Sequence, residues 1–100
     1  MVYQLKYQVA ARQDVKDAKT WYKSQLPGLQ KKFAADIKRA ILRIQKHPET
    51  HSIRYKNIRI AHPEKFPYGI HYYIDARSNE IAIVAIIHER QDQQIIEDRH

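Results

Sequence analysis

Three cations, Arg54, Lys56 and Arg59, lie close together in this chain, and two histidines, His62 and His88, follow with Arg90 at positions that read as strand ends. These residue types supply what metal-free RNA cleavage through the 2′-hydroxyl requires: cations at the phosphate, a base, and an acid for the leaving oxygen. Imidazole is the side chain that trades protons near neutral pH, and guanidinium binds phosphate oxygens in pairs. On that chemistry Arg54, Lys56 and Arg59 would hold phosphate, His62 or His88 would exchange protons, and Arg90 would stabilise developing charge. A plainer reading competes, in which the three cations are a solvated strand face and His88 is a strand-terminal polar residue. His71, mid-strand between aromatic neighbours, reads as a satisfied sheet residue.

Other chemistries find no residues to carry them. Two glycines, Gly28 and Gly69, cannot build a phosphate-cradling loop or a dinucleotide fingerprint, so no cofactor is expected. Ser24, Ser52 and Ser78 are not in a nucleophile-elbow context. His47 and His51 have the spacing of a helical metal pair, but Pro48 breaks the helix between them and no third ligand follows, so no metal site is expected. With no cysteine, disulfides and thiolate zinc sites are ruled out, and a reducing cytoplasm is the expected compartment.

The candidate residues depend on a small sheet and a pair of helices. Val2 to Val9 alternates, with Tyr3, Leu5, Tyr7 and Val9 on one side, the period of a half-buried strand. From about Ala11 to Leu26, Ala11, Val15, Ala18, Tyr22 and Leu26 recur at helical spacing. Pro27-Gly28 stops that helix, and Leu29, Phe33, Ile37, Ala40, Ile41 and Ile44 form the stripe of a second, which His47-Pro48 closes. Between Ile53 and Ala61 the apolar parity changes. A bulge near Lys56-Asn57 is the preferred explanation, since it restores one apolar face and sets Arg54, Lys56 or Asn57, and Arg59 in a basic row opposite. Two short strands joined by a turn are the alternative. His62 to Lys65 is a loop, Tyr68 to Asp75 alternates as a strand, residues 76–79 turn, and Ile81 to Ile87, apolar at both parities, reads as a central strand buried on both faces. The tail from about residue 90 is expected to be frayed or a short helix.

At 100 residues the chain is expected to form one domain spanning 1–100. Its N-terminal alternation is not the pattern of a secretory signal, and its longest apolar run falls far short of the roughly 20 residues that cross a bilayer, so no membrane association is expected. The net charge of +7 is uneven: residues 1–50 hold eleven Lys/Arg against four Asp/Glu, while residues 51–100 hold seven of each. The helices therefore carry the excess, a surface that attracts an acidic protein segment or a nucleic acid.

The order of three patterns carries a resemblance. Trp21-Tyr22 before Leu26-Pro27-Gly28-Leu29, then Phe66-Pro67-Tyr68-Gly69-Ile70-His71-Tyr72, then Ile83-Val84-Ala85-Ile86-Ile87-His88, resembles the toxins of bacterial type II toxin–antitoxin systems, the RelE/ParE superfamily, over roughly residues 3–90. The resemblance implies an α+β fold of order β-α-α-β-β-β, a helical hairpin packed on a small, mostly antiparallel four-stranded sheet. It implies a growth inhibitor neutralised by a cognate antitoxin that wraps it, with either DNA gyrase or the ribosome and its mRNA as target.

Two departures bear on the target. Where RelE-type nucleases carry an arginine beside the third-strand tyrosine, this chain has Gly69, and after His88 it has Gln91, Gln93 and Ile96, with arginine displaced to Arg90. The sequence therefore leans to ParE-like binding of gyrase. A RelE-like ribosome-dependent mRNA endonuclease is the alternative, with His62, His71 and His88 as its histidines. A degenerate toxin that only binds antitoxin is a third reading. For the antitoxin, the basic hairpin suits an acidic, partly disordered segment that folds on binding.

Overall fold

The computed structural model describes residues 2–90. The expectation for the tail, with Gln91, Gln93 and Ile96, lies outside these residues. A short strand, β1 (Gln4–Tyr7), leads into two helices, α1 (Val9–Gln25) and α2 (Leu29–Lys46), and four strands follow: β2 (Ile53–Tyr55), β3 (Ile58–Ala61), β4 (Tyr68–Asp75) and β5 (Glu80–His88). The strands form one sheet in the order β1-β5-β4-β3-β2, parallel between β1 and β5 and antiparallel elsewhere.

The helical hairpin arises where Pro27-Gly28 follows α1. Leu26 leaves the helix in an extended conformation, and Gly28 at φ +99° supplies the left-handed residue from which α2 starts. Ala11, Ala18 and Tyr22 of α1 and Phe33, Ile37, Ala40, Ile41 and Ile44 of α2 are buried against Tyr68, Ile70, Tyr72, Ile81, Ile83 and Ile86 of the sheet. Small alanines on α1 let the helix approach closely, while Tyr22, Phe33, Phe66 and Tyr68 fill one end with edge-on and stacked rings. Val9 is not a strand residue as its parity suggested; it begins α1 and is exposed.

The run in β5 that is apolar at both parities has two causes. β5 lies between β1 and β4, and it contains a bulge: His71 pairs with Ala85 but Tyr72 with Ile83, so Val84 has no partner across the ladder. Val84 and Ala85 consequently share the face away from the helices, where they meet Ile58, Ile60, Tyr73 and Ile87 in a second apolar cluster. β1 ends at the level of Ile83, and just beyond it the Ile86 N–H donates to the Asp14 carboxylate of α1 (3.0 Å), a side chain replacing the missing strand.

The strand count corrects the sequence reading, five where four were expected. The parity change at Ile53–Ala61 is a hairpin, not one bulged strand. Lys56, at φ +48°, turns the chain between β2 and β3, and the only irregularity between the two strands lies at Arg54, where Ile53 pairs with Arg59 and Tyr55 with Ile58. A turn reverses the chain as well as the parity, which is why both readings satisfied the pattern.

Candidate functional site

The hairpin divides the expected basic row. Arg59 follows Ile58 in the alternation and so leaves the Ile58–Ile60 face; its guanidinium donates to the carbonyl oxygens of His51 (2.5 Å) and Glu49 (3.5 Å), pinning the loop after α2. Its field reaches Tyr72 and His51, whereas the field of Arg54 reaches His71 on the other face. Arg54 and Lys56 are exposed at the hairpin. The three cations thus do not line one face.

His62 and His88 do converge, at one end of the sheet. His62, just past β3, has Nδ1 3.0 Å from the Tyr68 carbonyl oxygen and 3.4 Å from a carboxylate oxygen of Glu89. His88 pairs with Tyr68 across the β4–β5 ladder, sets its ring edge-on to that tyrosine at 5.5 Å between centroids, and accepts the Arg90 N–H at Nδ1 (3.1 Å). The Arg90 side chain is exposed. Burial and a hydrogen bond with the Tyr22 hydroxyl that favours the neutral phenol push Tyr68 well up, so it stays protonated.

Two arrangements escaped the sequence. His71, 7% exposed, meets the Tyr55 hydroxyl at Nδ1 (3.0 Å). Burial, with the charges of His62 and Arg54, pushes its pKa down to about 4, so the ring is neutral at pH 7. Gly69 makes room for it: a Cβ there would lie 3.3 Å from His71 Nε2 and 3.2 Å from Ile60 Cγ2. The glycine that stands where nucleases carry arginine is therefore part of the histidine's packing. Asp36, fully buried within the apolar stripe of α2, accepts the backbone N–H groups of Glu64 (3.3 Å), Lys65 (2.9 Å) and Phe66 (2.9 Å). Burial alone would raise its carboxyl, but these donors and Arg39 hold it below the usual range. Asp36 thereby fixes the loop that presents His62 and Tyr68. A charged residue inside a helical stripe was the available signal, since an unpaired one would not be buried.

A different surface lies on the helices. Arg12, Lys16, Lys19 and Lys23 of α1 face Lys31 of α2 across an open groove of about 690 Å³. Val15 and Ala34 form its apolar part, and no carboxylate among the described residues lines it. Nor does any helix among the described residues have the length and apolarity to cross a membrane.

Comparison with known proteins agrees with this architecture. No curated protein matches the sequence. Among solved structures, a chain of a chromosomal ParDE toxin–antitoxin system from P. aeruginosa superposes with a TM-score of 0.74 at 20% identity, covering 86% of this chain and 95% of that one. A chain of the RelBE2 toxin–antitoxin complex from Mycobacterium tuberculosis superposes with a TM-score of 0.63 at 18% identity, covering 89% of this chain and 100% of that one. At these identities the two carry the fold. Residues 5–93 match the family described as the ParE toxin of the type II toxin–antitoxin system parDE, so the chain belongs to the ParE toxin family, within the RelE/ParE superfamily of type II toxin–antitoxin toxins.

Proposed function

We propose that this toxin is neutralised in the cytoplasm by a cognate antitoxin and, once released, acts on DNA gyrase by binding rather than by cleaving RNA. The observation that carries the reading is the state of the polar groups on and beside the sheet. Arg59 is occupied by backbone carbonyls, His62 contacts the Tyr68 carbonyl and Glu89, and His71 is buried on Tyr55. A nuclease site needs cations aimed at one phosphate, and here Arg54 and Arg59 project their fields to opposite faces. Membership of the ParE family supports the same target, and the paired chains named in the similar structures support an antitoxin partner.

Induced expression in bacteria, alone and together with the neighbouring open reading frame, tests this. The expected result is growth arrest with DNA breaks and induction of the DNA-damage response, intact mRNA 5′ ends, and relief by a co-purifying neighbour. Mapped cleavage of translated mRNA would overturn the gyrase reading in favour of an endonuclease. Absence of any growth effect would leave only antitoxin binding.

A further inference from the structure

We propose that a cleft beside Trp21, between α1 and the edge of β5, receives an arginine side chain of the protein on which the toxin acts; that this protein is a bound target rests on the function proposed above, and the cleft chemistry does not.

The chain has one tryptophan, and it is 56% exposed. Its ring is nonetheless held in place, edge-on to Tyr22 at 5.1 Å between centroids, and Tyr22 packs in turn on Phe33, Phe66 and Tyr68. A fixed indole left in water is the residue type most enriched among the anchors of protein interfaces. Asp14, Asp17 and Trp21 stand at i, i+3 and i+7 of α1, so they share one face of the helix. The two helices of the hairpin hold three carboxylates: Asp36 is buried, and the other two are these. On a chain of net charge +7 the exposed negative charge of the hairpin is gathered beside the indole, on the side of α1 opposite Arg12, Lys16, Lys19 and Lys23.

That face borders a cleft. Beyond Ile83, where β1 ends, Asp14, Asp17 and Ala18 of α1 and Tyr68, Ile86 and Ile87 of the sheet enclose an open space of about 240 Å³. Asp14 is committed to the Ile86 N–H. Asp17 makes no ion pair among the described residues, and Gln13 orients its carboxylate by donating to Oδ1 (2.7 Å). The cleft is therefore apolar at Ala18, Ile86 and Ile87 and anionic at Asp17, with the indole one helical turn further on. An arginine meets all three features: its stem lies along the apolar lining, its guanidinium pairs with Asp17, and the guanidinium plane stacks on Trp21.

Other occupants meet fewer. A lysine would pair with Asp17 but has no plane to lay on the indole. A nucleic acid would bring phosphates against two carboxylates. A metal ion would find two carboxylates and an apolar wall, and no group of three ligating side chains stands together among the described residues.

Trp21, as the one indole, is its own reporter. The full chain is titrated with N-acetyl-arginine methylamide at about 0.15 M salt while the indole N–H resonance and the fluorescence are read. The lysine counterpart and the neutral citrulline counterpart serve as comparisons. The arginine compound is expected to move the indole signal, the lysine compound to act more weakly, and the citrulline compound to leave it unchanged. Asp17→Asn should weaken the arginine compound about fivefold or more, whereas Glu49→Gln, the same charge change at an exposed position elsewhere, should cost less than about twofold. In bacteria, Asp17→Asn and Trp21→Ala should each raise the inducer needed for growth arrest about tenfold, and Glu49→Gln should not. Melting temperatures close to that of the unchanged chain show that the variants are folded.

An indole signal silent to the arginine compound would overturn the proposal, as would an equal response to citrulline or equal losses in Asp17→Asn and Glu49→Gln. Self-association that disappears in Asp17→Asn would put a second copy in the cleft and overturn it too. So would an indole signal that moves alike in Asp17→Asn and Arg99→Gln without any compound, because the chain would then fill its own cleft. If Asp17→Asn and Trp21→Ala arrest growth like the unchanged chain, the arginine site fails and the binding function stands. If both variants lose potency but the unchanged chain cleaves translated mRNA, the binding function fails and the arginine site stands.

Discussion

The end of the sheet and the outer face of the helical hairpin hold similar cationic side chains in opposite circumstances. On and beside the sheet the polar groups are turned inward on the chain: Arg59 onto two carbonyl oxygens, His62 onto a third, His71 onto Tyr55, and Asp36 onto three N–H groups. On the helices the cations face water across a groove with an apolar floor. A basic residue near a histidine is therefore not a site until its hydrogen-bond capacity is counted. A guanidinium whose Nη1 is already shared between two carbonyls is held in place, and only its remaining N–H donors face outward.

The largest effect should come from Asp36. Asp36→Ala leaves three backbone donors unsatisfied in a buried pocket and is expected to destabilise the fold by about 3–5 kcal/mol in denaturant unfolding, consistent with the loss of a buried charged acceptor. A change below about 1 kcal/mol would show that the loop does not depend on that carboxylate.

Acid should separate the two regions next. Because the folded pKa of His71 lies near 4, below the 6.5 of a free imidazole, the unfolded chain takes up a proton between these values that the folded chain refuses. Stability should therefore fall as pH drops from about 6.5 to 4, by roughly 2–3 kcal/mol for a well-buried ring. His51, also lowered by burial and by His62, Arg43 and Arg59, acts in the same direction. Replacing His71 with Phe should flatten this slope even if it costs stability at pH 7. A slope unchanged in His71→Phe would place the titration elsewhere.

Arg59 offers a sharper comparison at smaller amplitude. If it is structural, Arg59→Gln should cost about 1–2 kcal/mol through its two carbonyl contacts, and growth inhibition should decline only as far as the folded population does. Undiminished stability with lost toxicity would return Arg59 to a functional role. Smallest of all, Arg54→Ala and Lys56→Ala, both exposed, should shift stability by no more than about 0.5 kcal/mol.

Much of the fold was legible because periodicity and punctuation agreed. Pro27-Gly28 and His47-Pro48 bounded α2 on both sides, and the alternation of Tyr68, Ile70, Tyr72 and Ile74 identified the helix-facing side of β4. The fifth strand was harder to see, because a two-residue turn and a one-residue bulge change apolar parity alike; only chain direction separates them, and Lys56 carries none of the usual glycine or asparagine signal for a left-handed turn residue. The convergence of His62 and His88 followed from their positions at strand ends. The Tyr55–His71 contact and the Asp36 anchor did not, since each joins residues at least sixteen apart and depends on packing that no local pattern records. Gly69 was read as a missing arginine, whereas it also clears space for a neighbouring ring.

The proposal that this toxin works by binding, and not through His62, His88 and Arg90, has a direct test. One protein preparation is added in parallel to a gyrase supercoiling reaction and to a purified translation system. The expected result is concentration-dependent loss of supercoiling while the translated mRNA stays full length. Ribosome-dependent cleavage with gyrase fully active would contradict it, and would make His62, His88 and Arg90 a catalytic set despite their contacts within the chain.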